Sequence, residues 1–201
     1  MIAIVDYDAG NIKSVEKAVE FLGEKWILTR DAEEILNSDK VILPGVGAFG
    51  DAMGRLESYG LVPVLKQAVT QNIPFLGICL GLQLMFEDSE ESEGIKGLGI
   101  LKGHIKRIPS GEYRKIPHMG WNSLELKNEG RLFKGIPGGS YVYFVHSYYL
   151  EAEDSSIVRA VTHYNTGIDA SVERGNVFAC QFHPEKSSTV GLGILRNFLE
   201  L

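Results

Sequence analysis

The sequence has almost no cysteine: Cys79 and Cys180 are the only two, 101 positions apart. That excludes a disulfide scaffold and gives no metal or redox spacing, so free thiols and a cytoplasmic location are expected. Long apolar runs are also missing. No stretch approaches the roughly 20 residues that a membrane-spanning helix needs. The opening "MIAIVDYDAGN" has no basic n-region and no cleavage site, so it reads as a first strand and not as a signal peptide. A basic excess is absent too, since 20 Lys and Arg face 26 Asp and Glu. A general nucleic-acid surface is therefore not expected. No G-x-x-x-x-G-K-[ST] is present, which disfavours a nucleotide-phosphate site. His104, His118 and His163 form no ligand spacing, and no metal is expected. There is no internal repeat, linker or low-complexity segment, so residues 1–201 are expected to form one domain.

What is present begins with alternation. Residues 1–7 form a continuous apolar run, as in a strand buried on both faces. Residues 11–23 carry Ile12, Val15, Val19 and Leu22 at helical spacing, with Gly23 as a stop. Strand patterns follow at 25–29, at 40–50, where the strand runs into a glycine-rich loop, and at 73–79, and helix patterns at 31–36, 51–60, 61–72 and 80–90. This β-α order predicts an α/β fold: a mostly parallel central sheet flanked by helices. The back half is strand-like and turn-rich at 97–109, 115–126, 139–152, 156–165, 168–176 and 177–185. These segments are expected to add antiparallel strands. A final helix at 189–201 turns Leu192, Leu195, Phe198 and Leu199 inward, and the acidic run 87–94 reads as a solvated loop.

Ligands on parallel sheets sit at the carboxyl ends of the strands. "GICLG" (77–81) falls at such an end, where a strand turns into a helix. Strand, Gly-x-Cys-x-Gly, helix is the nucleophile elbow with sulfur in place of oxygen. The glycines relieve crowding, the turn lifts the side chain above the sheet edge, and the helix start aims N–H groups at it. The competing reading is a buried structural cysteine, because free cysteine is among the most buried residues.

A thiol nucleophile needs a base. "CQFHPE" (180–185) ends an apolar run at His183, with Glu185 two positions on. On an extended segment those two side chains point the same way, and Pro184 biases His183 toward extended backbone. Glu185 could then orient the imidazole. The order Cys, His, acid is that of α/β sheets bearing elbows. Acyl transfer also needs oxyanion donors. The N–H of Leu80 is one candidate, and the glycine-rich "PGVGAFG" (44–50) offers another.

"PGVGAF", "GICLGLQLMFE" and "CQFHPEKSS" together resemble the triad (class I) glutamine amidotransferases. "KIPHMGWN" (115–122), "YFVHSYY" (143–149) and "DYDAGNIKSV" (6–15) are most similar to the glutaminase subunits of imidazole glycerol phosphate synthases. The resemblance spans nearly the whole chain and implies a flavodoxin-like sheet. It implies Cys79 as nucleophile, His183 as general acid/base and Glu185 as its orienting carboxylate. Gly47 and Leu80 would supply the oxyanion N–H groups. Gln83, Glu91, His146, Ser147 and Tyr148 would hold the amino-acid end of L-glutamine. Asp8 stands where many members have glycine, which bears on the first turn and not on the activity.

The same resemblance implies a partner, a (βα)8-barrel cyclase subunit that receives ammonia through an internal channel. Asn11, Met119, Trp121 and Lys186 are the candidate interface residues. No cofactor is required by this chemistry. Activity is expected to be low alone and to rise when the partner binds its ligand, with the flexible glycine loop 45–47 reorienting to complete the oxyanion hole. The glutaminase subunit of an anthranilate, aminodeoxychorismate or guanylate synthase, a cysteine hydrolase or peptidase, and a non-enzymatic binding subunit are the alternatives.

Overall fold

The computed structural model describes residues 1–10, 12–111 and 115–201. Asn11 therefore lies outside the described residues. The front half follows the alternation: β1 (Ile2–Val5), α1 (Lys13–Phe21), β2 (Trp26–Thr29), α2 (Ala32–Leu36), β3 (Lys40–Leu43), α3 (Phe49–Ser58), α4 (Leu61–Thr70), β4 (Phe75–Ile78) and α5 (Leu80–Leu84). The local signals act as expected. Gly23 ends α1 with φ of 87°, and the Asp31 side chain accepts the Glu34 N–H to cap α2.

The back half supplies β5 (Asp88–Ser89), β6 (Gly103–Arg107), β7 (His118–Ser123), β8 (Glu125–Leu126), β9 (Tyr141–His146), β10 (Tyr148–Ala152), β11 (Val158–Tyr164), β12 (Thr166–Arg174), β13 (Val177–Cys180) and α6 (Ser188–Leu199). The main sheet has the order β2-β1-β3-β4-β13-β12-β11-β8. Its first five strands are parallel, the doubly wound order of flavodoxin-like folds, and its last three are antiparallel.

Apolar side chains alternate through the parallel strands into two cores. Ala3, Val5, Val41 and Leu43 meet α2, α3 and α4 on one face. Ile2, Ile4, Ile42, Leu76 and Ile78 meet α1 and α6 on the other. In α6, Leu195, Phe198 and Leu199 are buried as expected, while Leu192 is half-buried and Ile194 takes the deeper place.

Four expectations are corrected. β13 is not antiparallel to its neighbour in the front half: it lies between β4 and β12 and runs parallel to β4. The helix expected at 80–90 stops at Leu84, because residues 97–101 return to satisfy its last carbonyls. Leu98 N–H donates to Leu84 O, and Ile100 and Leu101 N–H donate to Met85 O. That return consumes the first part of the strand expected at 97–109. The acidic run is not simply a solvated loop, since Asp88 and Ser89 pair with β6 and the Glu91 and Ser92 side chains accept the Phe49 and Gly50 N–H groups at the start of α3. The strand expected at 139–152 divides at Ser147, with β9 pairing β7 and β10 pairing β6.

Candidate active site

The elbow at Cys79 is real and strained. Its φ of 55° and ψ of −108° are a conformation that costs a non-glycine residue about 1–3 kcal/mol. Two glycines make the turn possible. A Cβ on Gly77 would stand 2.8 Å from the Gly81 carbonyl oxygen, and one on Gly81 would overlap the Leu43 carbonyl. Cys79 N–H donates to Cys180 O at 2.8 Å, which ties the turn to β13.

Because β13 runs parallel to β4, the two chains leave the sheet at the same edge. This brings His183 beside Cys79 from 104 positions away in sequence. β13 itself ends at Cys180, and His183 instead caps a one-turn 3-10 helix, Pro184–Lys186, with extended φ and ψ of −98° and 96°. The turn, and not an extended i, i+2 alignment, curls Glu185 back onto the ring. His183 Nδ1 and Glu185 Oε1 are 2.7 Å apart, with both side chains almost fully buried.

Burial alone would push the imidazole down. The Cys79 sulfur and the Glu185 carboxylate outweigh it and raise His183 to about 10. With Nδ1 engaged by Glu185, Nε2 is the ring nitrogen left to exchange a proton with the Cys79 sulfur, which interacts with this ring. Ser187 fixes the turn by donating to His183 O at 2.6 Å and accepting Tyr143 N–H at 2.9 Å.

A cavity of about 330 Å³ opens over Cys79. Its lining includes Gly47, Leu80, Gln83, Glu91, His146, Ser147 and Tyr148, all the residues that the sequence reading placed against glutamine. His183 and Glu185 lie outside that lining. Gln83 is buried, and its Nε2 donates to Tyr148 O and to Gln181 Oε1, both at 3.0 Å. Its Oε1 is the group left to accept from a ligand amine. Glu91 accepts the Phe49 N–H at 2.8 Å, so the carboxylate also caps α3 directly after the glycine loop.

The candidate oxyanion donors are less ready. Leu80 N–H points at Gly45 O at 3.3 Å, and Gly47 has φ of 106°. Tyr7 anchors the start of this loop by donating to Pro44 O at 2.7 Å, and burial raises its hydroxyl pKa and keeps it neutral.

Of the candidate interface residues, Met119 and Trp121 are 62% and 53% exposed on the outer side of β7, which excludes a core role for the tryptophan. Lys186 is half-buried in the 3-10 turn. Sequence reasoning missed Gln181, His118, Tyr7 and Ser187. Gln181 and Ser187 sit inside the quoted "CQFHPEKSS", but nothing local marks a buried glutamine whose Nε2 lies 3.8 Å from the Cys79 sulfur. His118 carries no local signal. No metal-binding cluster occurs among the described residues, and none of their helices is long and apolar enough to cross a membrane.

Residues 3–201 match the family model for class-I glutamine amidotransferase. The chain is 50% identical over 201 residues to the "Imidazole glycerol phosphate synthase subunit HisH" of Methanocaldococcus jannaschii, covering 100% of both chains. The protein of the same name from Moorella thermoacetica is 50% identical over 200 residues, covering 100% of this chain and 94% of its own. That of Bacillus cereus strain G9842 is 53% identical over 198 residues, with coverage of 98% and 93%. Among solved structures, a glutamine amidotransferase superposes with a TM-score of 0.77 at 20% identity, covering 100% of this chain and 98% of its own. The glutaminase domain of Trypanosoma brucei CTPS with bound acivicin gives 0.69 at 19% identity, with coverage of 99% and 93%. These two likenesses show the fold.

Proposed function

The chain belongs to the class-I glutamine amidotransferase family, and from that premise we propose that it hydrolyses L-glutamine as the glutaminase subunit of imidazole glycerol phosphate synthase. The observation that carries this reading is a strained Cys79 placed between a buried His183–Glu185 pair and a cavity with Gln83 and Glu91 on its wall.

The steps follow from the chemistry of the groups. Glu91 and the Gln83 carbonyl receive the ammonium of glutamine, and the His146–Tyr148 backbone holds its α-carboxyl end. The Cys79 thiolate, its proton already held by His183, attacks the side-chain amide. The oxyanion rests on the N–H groups of Leu80 and Gly47. His183 passes its proton to the nitrogen, the C–N bond breaks, and ammonia leaves a thioester. Water, deprotonated by His183, then attacks the thioester. Glutamate departs, and the thiolate is left beside the protonated His183 as at the start. Glu185 holds the ring and stabilises its charged form.

The ammonia goes to a cyclase subunit, which makes imidazole glycerol phosphate and an aminoimidazole carboxamide ribotide in histidine biosynthesis. We assign that partner a (βα)8-barrel, bound as a heterodimer over β7 and the cavity mouth, with Met119 and Trp121 as apolar anchors and Lys186 at the edge. A cytoplasmic location goes with this assignment. The Leu80 N–H contact with Gly45 O supports low activity in the free subunit, since the donor must be released before an oxyanion can use it.

The test is glutaminase turnover with and without the purified cyclase subunit and its ligand, on wild type and Cys79→Ser. Turnover is expected only with Cys79 and is expected to rise with the liganded partner. Equal rates in wild type and Cys79→Ser overturn the nucleophile. Equal rates with and without partner overturn the coupling.

A further inference from the structure

We propose that His118, a buried histidine outside the triad, is a positioning residue for the glutamine pocket. It would act through a hydrogen-bonded chain running from Asn122 through His118 and His146 to the Tyr148 carbonyl. This proposal rests on the functional reading above and deepens it.

The chain follows from strand register. His118 in β7 is directly opposite His146 in β9, so their side chains share one face. His118 Nδ1 lies 2.9 Å from His146 Nε2, and His146 Nδ1 lies 2.8 Å from Tyr148 O. Asn122 Nδ2 lies 3.3 Å from His118 Nε2. Both histidines are buried.

The direction of every proton can be derived. A carbonyl oxygen only accepts, so His146 carries its hydrogen on Nδ1. Burial holds His146 neutral, so its Nε2 is a bare acceptor. His118 must then donate from Nδ1. The Asn122 amide is oriented independently: its Nδ2 also donates to His163 O at 3.1 Å, and its Oδ1 accepts the Ser123 N–H at 2.9 Å. It therefore presents a donor to His118 Nε2, and a neutral His118 satisfies both ends.

Tyr148 O accepts from His146 and also from Gln83, whose second hydrogen goes to Gln181. One carbonyl thus holds the pocket segment His146–Tyr148 and the substrate-facing glutamine together. If His146 turns, that carbonyl is released and Gln83 loses its aim. His118 prevents this, and its ring is itself clamped between Phe144 and Tyr164 at centroid distances of 4.6 and 4.0 Å.

The clamp makes a clean test possible. His118→Phe keeps the stacking and removes the donor, whereas His118→Asn restores a donor at the Nδ1 position. With the cyclase subunit bound, His118→Phe is expected to raise KM for glutamine about tenfold, with kcat changed about twofold or less. His118→Asn is expected to stay within about threefold of wild type. Spectra of 15N-histidine-labelled wild type are expected to show His146 protonated on Nδ1 and bare on Nε2, with His118 in the same tautomer. In His118→Phe the His146 resonances are expected to move.

An unchanged KM in His118→Phe overturns the proposal. So do equal losses in both variants accompanied by equal falls in Tm, which would mark a packing role. His146 protonated on Nε2 overturns the chain whatever the kinetics. A wild type inactive toward glutamine with its partner overturns the functional reading and the kinetic half of this proposal with it, while the tautomers remain an independent measurement.

Discussion

Adding one methyl group at Gly81 tests how the elbow is held. Gly81 opens onto the Leu43 backbone: a Cβ there would overlap the Leu43 carbonyl oxygen and stand 2.9 Å from its carbon. Both partners are backbone in buried elements, so no side chain can swing away. Relief needs a shift of about 1 Å between β3 and α5, at the upper end of the usual 1–3 kcal/mol overpacking cost. We expect Gly81→Ala to lose about 3 kcal/mol, a fall in Tm of about 6–12 °C for a chain of this size. The same shift moves Cys79 and Leu80 relative to the glycine loop. A displacement of that order costs about 100-fold in turnover. Gly54 is the control, because it is exposed in α3 and a Cβ there meets nothing within 4 Å. Gly54→Ala is expected to gain up to about 1 kcal/mol from helix propensity and to keep full activity. Thermal unfolding of both variants, with glutaminase turnover measured well below either Tm, decides the matter. A Gly81→Ala variant as stable and active as Gly54→Ala would refute the packing argument for the elbow.

Two further outcomes follow from the site. Burial, first, lowers His146 from the ordinary 6.5 to about 3, so the unfolded chain takes up its proton before the folded one. Its contribution to stability is therefore complete above pH 6.5 and is lost as pH falls toward 3, by about 2 kcal/mol between pH 7.5 and 5. Denaturant unfolding of wild type and His146→Gln at both pH values should show the variant less acid-sensitive by that amount, and identical pH slopes would refute it. At the proposed docking face, Trp121→Ala is expected to weaken cyclase binding about 30-fold by calorimetry, with an unchanged Tm. An unchanged Kd would remove Trp121 from the interface.

Much of the candidate site is legible in the sequence because its signals are local. A cysteine between glycines at a strand end needs only backbone sterics to read as an elbow. Pro184 after His183 restricts that residue in any context, and the observed φ and ψ agree. Short, nearly continuous apolar runs in β1, β3 and β4 determine their burial on both faces before any partner is known. The readings that failed depend on partners distant in the chain. The direction of β13 is set by which strand it joins, and the length of α5 by the return of residues 97–101. His118 looks like any histidine until cross-strand register places it opposite His146.

Residue order alone carries the inventory of groups and the local geometry that exposes them: the elbow, the imidazole and its carboxylate, and the glycine loop. Their arrangement comes from long-range pairing in the folded chain. Parallel insertion of β13 carries His183 to the edge where Cys79 emerges. The single Tyr148 carbonyl gathers Gln83 and His146. The Leu80 N–H rests against Gly45 O. The physical reason is range: backbone sterics act within a few residues, whereas strand pairing and buried hydrogen bonds join positions that only the folded chain brings together.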